Sequence, residues 1–145
     1  MQFGITPLMQ RTGTTGSYQK VGIEEQVTKR RHEFKRGDVV VVPVVFAKPP
    51  GNKVRPALII SSNVYHKAQP ANILIIAMSG NVAGHQSATD YTINNWESAG
   101  LIRPSVVTSF ITTITPSEIR YTIGRLSSKD LSGVEKKLRI SLDLF

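Results

Sequence analysis

The chain reads as a mainly β protein with short helices, a small β-barrel closed by a C-terminal amphipathic helix. Two patterns carry that reading. Five to seven short β-prone runs recur at intervals of about 8–15 residues, the rhythm of a barrel rather than of βαβ units. They give way to Leu131, Val134, Leu138 and Leu142, which recur at three- and four-residue steps as one apolar stripe of a helix. A length of 145 residues suits one domain with a real core.

Residues 1–33 are rich in Gly, Thr, Gln and Ser and show no sustained period. They read as a basic, flexible N-terminal extension, in which Gly22–Arg31 could form a short helix. Lys29-Arg30-Arg31 is read as a solvated charge run. Order is expected from Phe34, so the barrel domain spans 34–145. Lys35-Arg36-Gly37-Asp38 is a basic turn into the β-prone run Val39–Phe46, where Pro43 demands an edge, a bulge or a bend. Ala47–Asn52, with two prolines and a glycine, is a loop. Ala57–Ile60 has the length and branching of a buried strand, and Ser62 can cap one helical turn before Ala71. A second apolar run, Ile73–Met78, ends in Ser79-Gly80 and a polar loop to Ser87. Ala88–Ile93 alternates as a strand; Asn94–Gly100 predicts a short helix capped by Asn94 or Asn95 and stopped by Gly100. Val106–Ile114 and Arg120–Ile123 complete the strands, and Ser127–Asp130 has capping-box spacing ahead of the last helix.

Eighteen Lys and Arg against ten Asp and Glu give a net charge of +8. The segment before Gly37 and the remainder each carry a net +4, so the folded part is basic as well as the extension. Such a surface favours polyanions: nucleic acid or an acidic protein. With no cysteine there is neither disulfide nor thiolate zinc site. No apolar run approaches the ~20 residues of a membrane span, and the N-terminus lacks the pattern of a secretory signal. A cytoplasmic location is expected.

The chemistry concentrates around Asn52–Ser62. Pro56 forces Arg55 toward extended backbone, which fixes a cation at the mouth of a strand. If that strand and Ile73–Met78 share a sheet, Arg55 and Ser79 line one polar groove over an apolar floor. Arg55 supplies a planar fork of donors matched to phosphate oxygens, and Ser79 a hydroxyl beside the permissive Gly80. Lys53 and Lys48 extend the phosphate-binding surface. His85, in the loop after Ser79, is placed to contact substrate or to serve as a base near neutral pH, whereas His66 is read as structural. Trp96 is read as core packing, and Arg125 as structural or interfacial. No His, Asp or Glu cluster has metal-ligand spacing, and neither a phosphate-binding loop nor a serine-hydrolase elbow is present.

Five segments, in order, resemble the MazF/PemK/Kid family of toxin endoribonucleases. They are Arg36-Gly37-Asp38-Val39; Arg55-Pro56-Ala57-Leu58-Ile59-Ile60-Ser61; Ile76-Ala77-Met78-Ser79; Gly100-Leu101-Ile102-Arg103-Pro104-Ser105-Val106-Val107; and Ile123-Gly124-Arg125-Leu126-Ser127. The match runs over roughly residues 34–145. The resemblance implies an SH3-like barrel that dimerises, cuts single-stranded RNA at short sequences without a metal or other cofactor, and is silenced by an acidic, disordered antitoxin. It assigns Arg55 and Ser79 the catalytic positions. Where many members follow Ser-Val-Val with Arg, and some add Asp two residues on, this chain has Thr108, Ser109 and Phe110. Thr108 therefore inherits a substrate-binding position without its cation. The other readings of the same pattern are a non-catalytic toxin of this fold that inhibits DNA gyrase, or a basic nucleic-acid-binding barrel without catalysis.

Overall fold

The computed structural model describes residues 33–43 and 53–145, together with the backbone of 8–11 and 18–21. Strands β1 (Leu8–Arg11) and β2 (Tyr18–Val21) form an antiparallel hairpin, with β1 alongside the last strand of the main sheet. The sequence reading did not foresee this pairing. Residues 22–31, which could have formed a helix, lie outside the described residues, as do Lys29–Arg31.

The main sheet holds β3 (Asp38–Pro43), β4 (Val54–Ile59), β5 (Ile73–Ser79), β6 (Tyr91–Thr92), β7 (Val106–Ile114) and β8 (Tyr121–Arg125). Their order is β6-β7-β5-β4-β3-β8, all pairs antiparallel, as a curled half-barrel. Helix α1 (Asn63–Ala68) links β4 to β5, and α2 (Ser128–Leu142) closes the chain. Ser62 caps α1 by accepting from Tyr65 N at 3.1 Å. The strand expected over Ala88–Ile93 shortens to Tyr91–Thr92.

Both faces of the sheet are covered, which is why β3 reads as an unbroken valine run rather than an alternating one. On one face Val39, Leu58, Ile76, Met78 and Val107 pack with Val134 and Leu138 of α2. On the other, Val40, Val42, Ala57, Ile59, Ile73, Ile75 and Ile114 pack with Phe34 and Ile119. Trp96 packs against the first of these cores, as expected. Arg125 is structural: its Nη1 donates to Asp38 Oδ1 at 2.8 Å and ties β8 to β3. An Arg36–Glu135 ion pair anchors the turn before β3 to α2.

Asn94–Gly100 forms consecutive turns instead of the expected helix. Its caps come from a distance. The Asp130 carboxylate, fully buried, accepts from Asn94 N (3.0 Å), Asn95 N (2.8 Å) and the Tyr91 hydroxyl (2.7 Å). Only half of the anticipated capping box forms: Ser127 Oγ accepts from Asp130 N at 3.1 Å, while the carboxylate turns away to the 94–95 amides. Gly133 makes room for this latch, because a Cβ there would meet the Tyr91 ring at 2.1 Å. Burial favours the neutral Asp130, but hydrogen bonds from Tyr91, Asn94, Asn95 and Ser127 outweigh it and hold the carboxyl below its ordinary value. Tyr91 is pushed up to about 12 by burial and by the facing carboxylate.

His66 fills a second buried polar position. Its Nε2 is hydrogen-bonded to Ser61 Oγ at 2.6 Å, and the same hydroxyl accepts from Leu74 N at 3.1 Å. This bond fastens α1 to the β4–β5 connection. Burial lowers the His66 pKa, with the Phe34 carbonyl opposing. A lowered folded value means that the unfolded chain binds the proton more readily. Stability is therefore expected in full above pH 6.5, the ordinary value, and to fall as the pH drops through the folded pKa. Urea midpoints measured between pH 7.5 and pH 5 check this: the decline should shrink in His66→Gln.

Candidate active site

Arg55 sits in the second position of β4, and Ser79 ends β5. The β4–β5 ladder runs through Ile59↔Ile75, Leu58↔Ile76 and Ala57↔Ala77, and stops there. The next residue, Pro56, has no N–H to contribute to a further rung. Carried on two residues, the same register sets Arg55 opposite Ser79. Directly opposed residues share a face, and Arg55 follows the parity of Ala57 and Ile59, Ser79 that of Ala77 and Ile75. Both therefore lie on the face away from α2, beyond the apolar floor of Val42 and Ala57.

Arg55 is exposed, and its Nη1 donates to the Val54 carbonyl at 3.1 Å. Ser79 is half-buried, and its Oγ accepts from Asn81 N at 3.0 Å. Among the described residues no hydrogen bond joins the two, so a ligand between them meets a fork of N–H donors and a hydroxyl. Lys53 is exposed, two positions before Arg55. Lys48 lies outside the described residues. His85 is half-buried at the end of a 3-10 turn, Val82–Gly84, its N–H bonded to Val82 O at 3.1 Å.

Thr108 stands apart from this group. β5 and β7 pair Ile76 with Ile111 and Met78 with Val107, so residues 108–110 bulge opposite Ala77 alone. At this bulge Thr108 Oγ1 donates to the Ala77 carbonyl at 2.8 Å. Thr108 is buried and lines a small cleft with Val134, Leu138 and Ser141 of α2. Its hydroxyl serves the bulge on the α2 side, away from Arg55 and Ser79. The adjoining Phe110 is 54% exposed. Motif spacing could not show this, because the bulge exists only once β5 and β7 are paired.

Among the described residues, no group of three or more His, Asp or Glu is placed to hold a metal. No helix among them is long and apolar enough to cross a membrane.

A six-stranded curled antiparallel sheet with two helices, the second C-terminal, defines the class: a small half-barrel. Residues 35–142 match the model of the PemK-like, MazF-like toxins of type II toxin-antitoxin systems, and the chain belongs to that family. The match leaves the N-terminal hairpin outside it. No curated protein sequence matches significantly. Among solved structures, an endoribonuclease in complex with its cognate antitoxin from a mycobacterial species is similar at 19% identity and TM-score 0.60, covering 77% of this chain and 95% of that one. The Mycobacterium tuberculosis toxin MazF-mt6 aligns at 22% identity and TM-score 0.59, covering 74% and 98%. A MazE–MazF structure from Deinococcus radiodurans aligns at 16% and 0.59, covering 77% and 97%.

Proposed function

We propose that this toxin is an endoribonuclease that cuts single-stranded RNA at selected sequences, with the substrate's own 2′-OH as nucleophile and no metal in the step. The observation that supports the reading is the β4–β5 ladder, which ends at Ala57↔Ala77, two residues short of Arg55 on one strand and of Ser79 on the other. The 2′ oxygen attacks phosphorus, the bond to the 5′ oxygen breaks, and the products are a 2′,3′-cyclic phosphate and a 5′-OH. A proton leaves the 2′ oxygen and one reaches the departing 5′ oxygen. The guanidinium of Arg55 stabilises the charge gathering on the phosphorane oxygens and can donate toward the leaving group. A free guanidinium titrates above pH ~12, so abstraction of the 2′ proton falls to another group, for which His85 is the candidate. Ser79 donates its hydroxyl hydrogen to a phosphate oxygen while keeping Asn81 N as its own donor. Lys53 adds charge along the strand entrance.

The toxin is expected to work as a homodimer in the cytoplasm and to be silenced by an acidic cognate antitoxin. Support for the partner comes from the family and from neighbours described with antitoxins, and from the net charge of +8. The test is incubation with mixed single-stranded RNA in EDTA, followed by chemical mapping of both new ends. Cyclic phosphate with 5′-OH ends is the expected product. Intact RNA, or ends that need added Mg²⁺, refutes the proposal.

A further inference from the structure

We propose that Gln86 reads the base beside the scissile phosphate, by accepting a hydrogen bond from the amine at C6 of adenine or C4 of cytosine. This rests on the ribonuclease reading and names the selectivity of the same site.

Three strands set the position. Ser79 pairs with Val106, and Val106 with Thr92, so β5, β7 and β6 contribute one row. Residues in one row share a face, here that of Arg55. Strands lie ~4.8 Å apart, which puts Thr92 about 10 Å from Ser79. A base attached to a phosphate held at Ser79 spans such a distance. Val106, between them, is fully buried and brings no competing polar group.

The loop joining β5 to β6 is built, not merely spanned. Ser79 Oγ accepts from Asn81 N (3.0 Å), Asn81 Oδ1 accepts from Gly84 N (3.2 Å), and Asp90 Oδ2 accepts from Ser87 N (3.0 Å) and Ser87 Oγ (2.9 Å). Gln86 closes this chain onto β6: its Nε2 donates to Val82 O at 2.7 Å and to Thr92 Oγ1 at 3.4 Å. A backbone carbonyl only accepts, so it fixes which end of the amide is nitrogen. Both amide hydrogens are thereby engaged. Oε1 makes no hydrogen bond among the described residues, on a side chain that is exposed. An oriented acceptor facing the C6 edge of a purine or the C4 edge of a pyrimidine complements the N6 amine of adenine or the N4 amine of cytosine and opposes the O6 of guanine or the O4 of uracil; the N2 amine of guanine lies away from that edge.

The experiment is end-sequencing of a randomised single-stranded RNA pool cut by the wild-type protein, Gln86→Ala and Thr92→Ala. The wild type is expected to enrich adenine or cytosine over guanine and uracil at one position flanking the cut. Gln86→Ala should reduce that ratio about tenfold, the scale of one hydrogen bond of ~1.4 kcal/mol. Thr92→Ala cuts the longer of the two bonds that orient the amide and should reduce the ratio by less than Gln86→Ala does. If Gln86→Ala changes the overall rate but not the ratio, the residue is only a staple and the inference falls while the nuclease reading stands. The same holds if the wild type shows no such enrichment. If the wild type cuts nothing in the pool, the nuclease reading itself fails and this goes with it.

Discussion

Arg55→Ala is expected to slow cleavage of single-stranded RNA by about 10²–10³-fold, the loss typical of one preorganised donor to a developing oxyanion. The fold should not register the change. Arg55 is exposed, and among the described residues its side chain bonds to the carbonyl of its own neighbour, Val54. Surface substitutions of that kind usually shift stability by less than ~0.5 kcal/mol. Arg55→Lys should recover part of the rate, since an ammonium keeps the charge but loses the planar fork. Single-turnover rates in EDTA beside thermal melts of each variant check this. A variant that melts normally and cuts as fast as the wild type removes Arg55 from the chemistry.

Asp130→Ala should destabilise the protein more than any surface change, by about 3 kcal/mol. One buried carboxylate satisfies the amides of Asn94 and Asn95 and the Tyr91 hydroxyl, and all three lose their partner together. The effect has a pH signature. The folded Asp130 pKa lies below its ordinary 3.8, so its contribution is complete above pH 3.8 and is lost as the pH falls through the folded value. Urea unfolding from pH 7 to pH 2.5 should therefore show the wild type losing its advantage over Asp130→Ala at the acid end. A constant gap across that range would mean that packing, not the charged hydrogen bonds, holds α2 to the 91–95 turn.

The adjacency of β4 and β5 was legible before any coordinates, for a definite reason. Arg-Pro followed by four apolar residues defines a strand with a cation at its mouth, and an apolar run ending in Ser-Gly defines its neighbour. Their parity follows once the strands are adjacent. Helix α2 announced itself by its stripe, and Ser62 by its place before an otherwise unremarkable turn. The failures share one physical cause, that the deciding partner is distant in sequence. Asn94–Gly100 has helical signals, but its first amides are captured by Asp130 from α2, and Gly100, at φ +87, ends the turns against the Ile123 carbonyl. Thr108 matched a motif position, yet the β7 bulge turns its hydroxyl to Ala77. Gln86 drew no notice because a loop glutamine is distinguished only by the bonds that orient it. The β1–β2 hairpin pairs four-residue strands too short for periodicity to reveal.

A double-mutant cycle of Arg55→Ala and Ser79→Ala, read as single-turnover cleavage of one RNA in EDTA, tests the central claim most directly. If guanidinium and hydroxyl grip one phosphate, each single change costs rate and the double variant loses clearly less than the product of the two losses. Independent, multiplying losses, or a Ser79→Ala protein as fast as the wild type, would contradict a shared site at the open end of β4 and β5.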